Sequence, residues 1–173
     1  MKKITLILSF MLVSLVTMAQ RDAVDALFDK YAGKEGFTTV IISSKMFSLF
    51  QDMEVEDDEF NKMMSGLQSI RILATDETMK DKTINFYDEV MKELNENDYE
   101  ELMVVKEKDH DVKFLIKERN GRVTELLLVA GGKGGDNALI SIRGDIDLKT
   151  ISKLARSMDI EGMEQLEKLE EKK

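Results

Sequence analysis

The chain has 173 residues, 43% apolar and 34% charged, a net charge of −9, and no proline, cysteine or tryptophan. That length fits one domain, and the apolar share supports a core, which argues against a disordered, collagenous or coiled-coil-only chain. Without cysteine, thiol nucleophiles, Cys-ligated zinc, iron–sulfur clusters, disulfides and thioether lipid anchors are excluded, and a single histidine excludes most imidazole-rich metal sites.

Residues 1–19 read as a cleaved export signal. Lys2 and Lys3 form a positive start, Ile4 to Val16 an apolar stretch, and Thr17 and Ala19 the small residues before a cut at Gln20. The apolar stretch is shorter than the ~20 residues of a membrane span. The leader holds two of the 25 basic residues and none of the 34 acidic ones, so its removal takes the net charge from −9 to −11. Such an acidic chain is expected to stay soluble and to avoid nucleic acid. The expected location is the periplasm or the cell exterior, with no lipid anchor and no transmembrane segment after cleavage.

After the leader, Asp22 is a candidate helix cap. Val24, Leu27, Phe28 and Tyr31 follow at the spacing of one helical face, which Gly33 and Gly36 end. Phe37 to Ser43 is β-branched and apolar and predicts a buried strand. Ser43 or Ser44 opens a helix carrying Met46, Phe47, Leu49, Phe50 and Met53. A second helix carries Phe60, Met63, Met64 and Leu67. Ser69 to Thr75 predicts a second strand, and residues 76–97 a long helix with Ile84, Tyr87, Met91 and Leu94 on one side.

From there the period falls to two. Residues 101–108, 112–118, 123–130 and 137–144 read as four strands. A last helix carries Leu148, Ile151, Leu154, Ala155 and Met158, with Met163, Leu166 and Leu169 in a short one after it. The expected organisation is the leader, one α+β domain over residues 20–160, and a charged helical tail over 161–173. The early β-αα-β unit suggests a right-handed crossover and a parallel pair, and the later strands an antiparallel meander. The expectation is one mixed sheet of about six strands with helices mainly on one face.

Asn120-Gly121 is a strong two-residue hairpin signal, because both positions need positive φ. It would set Arg119 against Arg122, Lys117 against Thr124, Leu115 against Leu126 and Phe114 against Leu127. Val112, Phe114, Ile116, Leu127 and Val129 would then face the helices. Lys113, Leu115, Lys117, Thr124, Leu126 and Leu128 would share the other face. A tight turn at Asp109-His110 would add Leu102, Val104 and Lys106 to it, with Lys106 opposite Lys113. Unless the first helix or the C-terminal tail covers it, this aliphatic face with a basic fringe is the candidate binding surface: Lys106, Lys113, Leu115, Lys117, Leu126, Leu128 and, nearby, Arg143.

Other motifs carry less. Gly131-Gly132-Lys133-Gly134-Gly135 lacks phosphate-loop spacing, and a strand follows it where a helix would be needed. The acidic run from Asp52 to Glu59 lacks the glycine and spacing of a calcium loop. His110 between Asp109 and Asp111 reads as a surface residue at a hairpin tip. The methionines fall largely on apolar helical faces, where they fill gaps. No catalytic constellation, metal site or cofactor motif emerges.

With its leader, its FTTVIISSKMFSLF segment (37–50) and its ALISIRGDIDLKTISKLA segment (138–155), the chain resembles the family called domain of unknown function 4252. These are small exported proteins of Bacteroides-type bacteria. The family has no established activity, so the resemblance implies location and architecture and no site. Some relatives carry a lipobox cysteine, and this chain has none. The functional expectation is a non-enzymatic envelope module that binds another envelope protein or a second copy of itself. The alternatives are a binder of small anions at the lysine fringe, or an enzyme whose carboxylates the sequence does not single out.

Overall fold

The computed structural model describes residues 22–51 and 58–146. The leader, the acidic run over 52–57, and the helix and tail expected beyond 146 lie outside the described residues.

Helix α1 (Ala23–Tyr31) forms as its spacing predicts. The Val24 amide donates to Asp22 Oδ1 at 2.9 Å, and Val24, Leu27, Phe28 and Tyr31 are all buried. Strand β1 (Phe37–Ser43) runs directly into helix α2 (Ser44–Gln51). Helix α3 (Asp58–Gly66) then runs directly into β2 (Leu67–Thr75). Helix α4 covers only Phe86–Glu93, followed by a short 3-10 turn at Glu96–Asp98. Four strands complete the described residues: β3 (Glu100–Lys106), β4 (His110–Arg119), β5 (Arg122–Gly132) and β6 (Ala138–Ile146).

The expected 22-residue helix before β3 is shortened at its start by side chains that compete with the helical backbone. Asp76 Oδ1 accepts from the Thr78 amide and hydroxyl, and Asp81 Oδ1 does the same for Thr83. The Asn85 side chain then caps α4 by accepting from the Asp88 amide.

The six strands form one sheet in the order β1-β2-β6-β5-β4-β3. Every neighbouring pair is antiparallel, so the architecture is α+β but the sheet is not mixed. The parallel β-αα-β unit expected from the sequence is absent because two helices of eight and nine residues connect β1 to β2. They pack on each other and carry the chain out and back. The chain therefore re-enters the sheet at the end it left, and β2 must run against β1.

Helices lie on both faces, not mainly on one. On the first face Leu73, Leu115, Leu127, Val129 and Leu139 pack under α1 and α4, with Phe86 and Val90. On the second, Leu67, Phe114, Ile116, Leu126 and Ile146 pack with Phe47 of α2 and Met64 of α3. Strand β1, expected to be buried, is an edge strand with exposed side chains.

The β4–β5 hairpin turns where the sequence says it should. Asn120 and Gly121 have φ of 55° and 75°, and Arg119 faces Arg122. A bulge then interrupts the ladder between Lys117 and Glu118, and the Thr124 hydroxyl donates to the Lys117 carbonyl at 3.0 Å. One extra residue on β5 moves every later partner by one position. Lys117 faces Glu125 in place of Thr124, Leu115 faces Leu127 in place of Leu126, and Phe114 faces Leu128 in place of Leu127.

Candidate functional site

The bulge divides the seven residues of the expected binding surface. Leu115 is buried under α1 and α4, whereas Leu126 is buried on the opposite face, where Leu128 also packs. Lys113 and Lys117 lie on the α1 side and are matched by acids of the same chain. Lys113 Nζ is 2.9 Å from Glu101, whose hydrogen bond raises the pKa of the lysine. Lys117 Nζ is 3.3 Å from Asp98 and 5.0 Å from the centre of the Tyr99 ring. Lys106 is exposed near the end of β3 and faces Asp111, not Lys113. The turn before β4 sits one residue earlier than expected: the Glu107 amide donates to the His110 carbonyl at 2.9 Å, Lys108 and Asp109 form the tip, and His110 is the first residue of the strand.

Arg143 is drawn into a charged cluster that no local sequence pattern announces. Slipping β5 by one residue turns Glu125 inward, where it is only 4% exposed. Its carboxylate accepts three hydrogen bonds: from Tyr99 Oη at 2.9 Å, Ser141 Oγ at 2.7 Å and Arg143 Nε at 2.9 Å. Arg143 Nη2 also donates to Asp22 Oδ2 at 2.8 Å, and its Nη1 lies 3.6 Å from Asp25. Arg71 donates to Asp25 as well and stacks over the Phe28 ring at 3.9 Å. The cluster thus bolts the first turns of α1 to β2, β5 and β6.

The electrostatics follow from the burial. Desolvation works against the Arg143 charge, but Glu125, Asp22 and Asp25 outweigh it and hold the guanidinium above its ordinary pKa. Burial, and then the Glu125 charge, push the Tyr99 phenol far above the usual tyrosine value. Tyr99 is therefore held neutral in the fold. Its contribution to stability is complete below the unfolded phenol pKa of about 10 and declines as the pH rises beyond it. Urea midpoints measured between about pH 9 and 11 are expected to fall with pH, and Tyr99→Phe is expected to flatten that fall.

Beside the cluster a cleft of about 100 Å³ is lined by Asp22, Glu93, Asp98, Tyr99 and Lys117, among others. Ligand pockets span roughly 300–1,000 Å³, so this cleft suits a few water molecules. The Glu125 carboxylate is tied to three donors at once, which fixes its place among Tyr99, Ser141 and Arg143. Among the described residues no group of three or more His, Asp or Glu side chains is placed to hold a metal ion. No described helix is long and apolar enough to cross a membrane.

The remaining candidate is an edge of the sheet. Five large hydrophobic side chains are exposed among the described residues, and four fall within ten positions: Val40 (37%), Ile41 (63%), Met46 (46%) and Leu49 (51%). Val40 and Ile41 point to opposite faces of β1, and Met46 and Leu49 lie on the helix that leaves it. The ladder from β1 to β2 has no register shift, and β1 carries neither a charge nor a proline. The opposite edge differs. Strand β3 carries Glu100, Glu101 and Lys106 and has a bulge between Glu101 and Met103, the usual devices that discourage edge pairing. Among the described residues one edge carries these devices, and the other carries none and pairs with no further strand. The signal for this was legible in the uncharged FTTVIIS run, once the strand order is known.

No curated protein and no solved structure matches the chain. The model of one family, described as a domain of unknown function (DUF4252), matches residues 31–154. That span takes in every strand of the sheet and well over half of the sequence, and the chain therefore belongs to the DUF4252 family.

Proposed function

We propose that this protein is an exported, non-catalytic binding module that engages another polypeptide strand along the open edge at β1. The observation that carries the reading is the concentration of exposed apolar side chains at positions 40, 41, 46 and 49, beside an edge without charge, proline or bulge. An edge strand presents unpaired amide and carbonyl groups. An added strand satisfies them, and its side chains contact the apolar groups on either face. Export is supported by the pattern of the first 19 residues, with paired lysines, a short apolar stretch and small residues before Gln20.

Two measurements test this. Intact-mass analysis of the protein from cells expressing the full chain is expected to show loss of residues 1–19; an uncleaved mass overturns the export part. A photoreactive side chain at Ile41 is expected to give a discrete crosslinked species in the cell envelope. The same group at Val105, the exposed large hydrophobic residue on the β3 edge, is expected to give none. Equal crosslinking at both positions counts against the edge reading.

A further inference from the structure

We infer that the polypeptide taken up at β1 is the β1 strand of a second copy of this chain. The inference rests on the edge reading above and names its partner.

Three features favour a second copy. First, Phe37–Ser43 holds no charged side chain, while the chain as a whole carries −9. An uncharged ladder offers no handle to a partner selected by charge, and it places no like charges opposite each other when it meets itself. Second, the strand has seven residues, so an antiparallel pair with its two-fold axis at Val40 leaves no overhang. Val40 then faces Val40 of the other copy, Thr39 faces Ile41, and Thr38 faces Ile42. Each of these three pairs is β-branched and shares a face, which suits a pleated strand surface, and Phe37 faces Ser43 at either end. Third, a two-fold interface uses the same patch twice, so the exposed Met46 and Leu49 are duplicated beside the ladder. The result is a continuous twelve-stranded antiparallel sheet. A seven-residue ladder is a small interface, and two acidic chains repel, so the dimer is reversible and strengthens as salt screens the charge.

The absence of native cysteine makes the register testable. At the two-fold axis the Cα atoms of facing residues lie about 4.5–5.5 Å apart, within the roughly 4.4–6.8 Å that a disulfide spans. Val40→Cys is therefore expected to give a disulfide-linked dimer under mild oxidation. In Thr38→Cys the two cysteines are offset by four residues, about 13 Å, and are expected to stay unlinked, although Thr38→Cys mixed with Ile42→Cys is expected to link. Val105→Cys on the other edge should stay unlinked. Sedimentation of the full-length gene product is expected to show a dimer fraction that rises with concentration and salt and is lost in Ile41→Lys, with circular dichroism confirming that this exposed substitution leaves the fold intact. Linking of Val40→Cys and Thr38→Cys to the same extent overturns the register and the inference. A protein monomeric at every concentration whose Ile41 crosslink joins a different protein overturns the second copy while leaving β1 as a binding edge, and a crosslink to residues 147–173 of its own chain overturns both. Absence of any Ile41-specific crosslink overturns both.

Discussion

Replacing Arg143 with alanine is expected to destabilise the protein by about 3–5 kcal/mol, read as a shift in the urea unfolding free energy. Arg143 is the only cation hydrogen-bonded to Glu125 among the described residues. Without it a carboxylate that is 4% exposed keeps only two neutral donors, and Asp22 and Asp25 lose the charge that draws α1 onto the sheet. Removing one partner of a buried pair costs more than the pair contributes, because the charge left behind stays desolvated. Two companion variants separate this from lost packing. Glu125→Gln removes the charge that needs a partner and is expected to cost less. Glu125→Leu combined with Arg143→Met is expected to recover a large part of the loss. A loss below about 1 kcal/mol for Arg143→Ala, the scale of a surface ion pair, counts against a desolvated cluster.

Phe86→Ala is expected to cost about 3–5 kcal/mol. Its side chain is fully buried, and its ring centre lies 5.4 Å from that of Tyr31 and 6.1 Å from that of Phe37. Those three rings come from α4, α1 and β1, so one truncation loosens three elements. The cavity is held open by rigid surroundings. The Phe86 amide donates to Asn137 Oδ1 at 2.8 Å, and the Asn137 amide group donates to the Ile84 and Gly135 carbonyls. Phe86→Leu, which keeps more of the volume, is expected to lose well under half as much. Similar losses for the two variants in urea titrations would mean that the site collapses around the smaller side chain.

The sequence foretold local structure better than pairing. Asn120-Gly121 announced its turn because positive φ at two adjacent positions is a local demand with few chemical solutions. The bulge two residues later was silent. Beyond it the chain reads Leu126-Leu127-Leu128, and three identical apolar residues make either register equally greasy, so period-two reasoning cannot register a slip. What the slip does change is the placing of Glu125. Its partners, Tyr99, Ser141 and Arg143, lie 26, 16 and 18 residues away, beyond any local pattern. A glutamate inside an apolar strand was the one visible hint.

The other departures have the same origin. FTTVIIS reads as a buried strand because a continuous apolar run is the same string whether neighbours cover it or not. Its place at the rim is decided by β6, whose pairing with β2 leaves β1 outside. A long helix before β3 is the natural expectation because Ile84, Tyr87, Met91 and Leu94 keep helical spacing. Asp76 and Asp81, each two residues before a threonine, had already claimed the backbone for turns.

The strand order also sets a timetable. β6 is the last of the six strands to be synthesised, yet it sits between β2 and β5. Until it arrives, the ribosome has delivered two fragments, a β1–β2 ribbon and a β3–β4–β5 meander, with no strand ladder between them. Their closing seam depends on residues 138–146, so contacts distant in sequence must wait for nearly all the polypeptide. A nascent chain stalled before Ala138 carries two raw inner margins and is a poor candidate for independent folding. The six-stranded sheet is continuous only once β6 is in place.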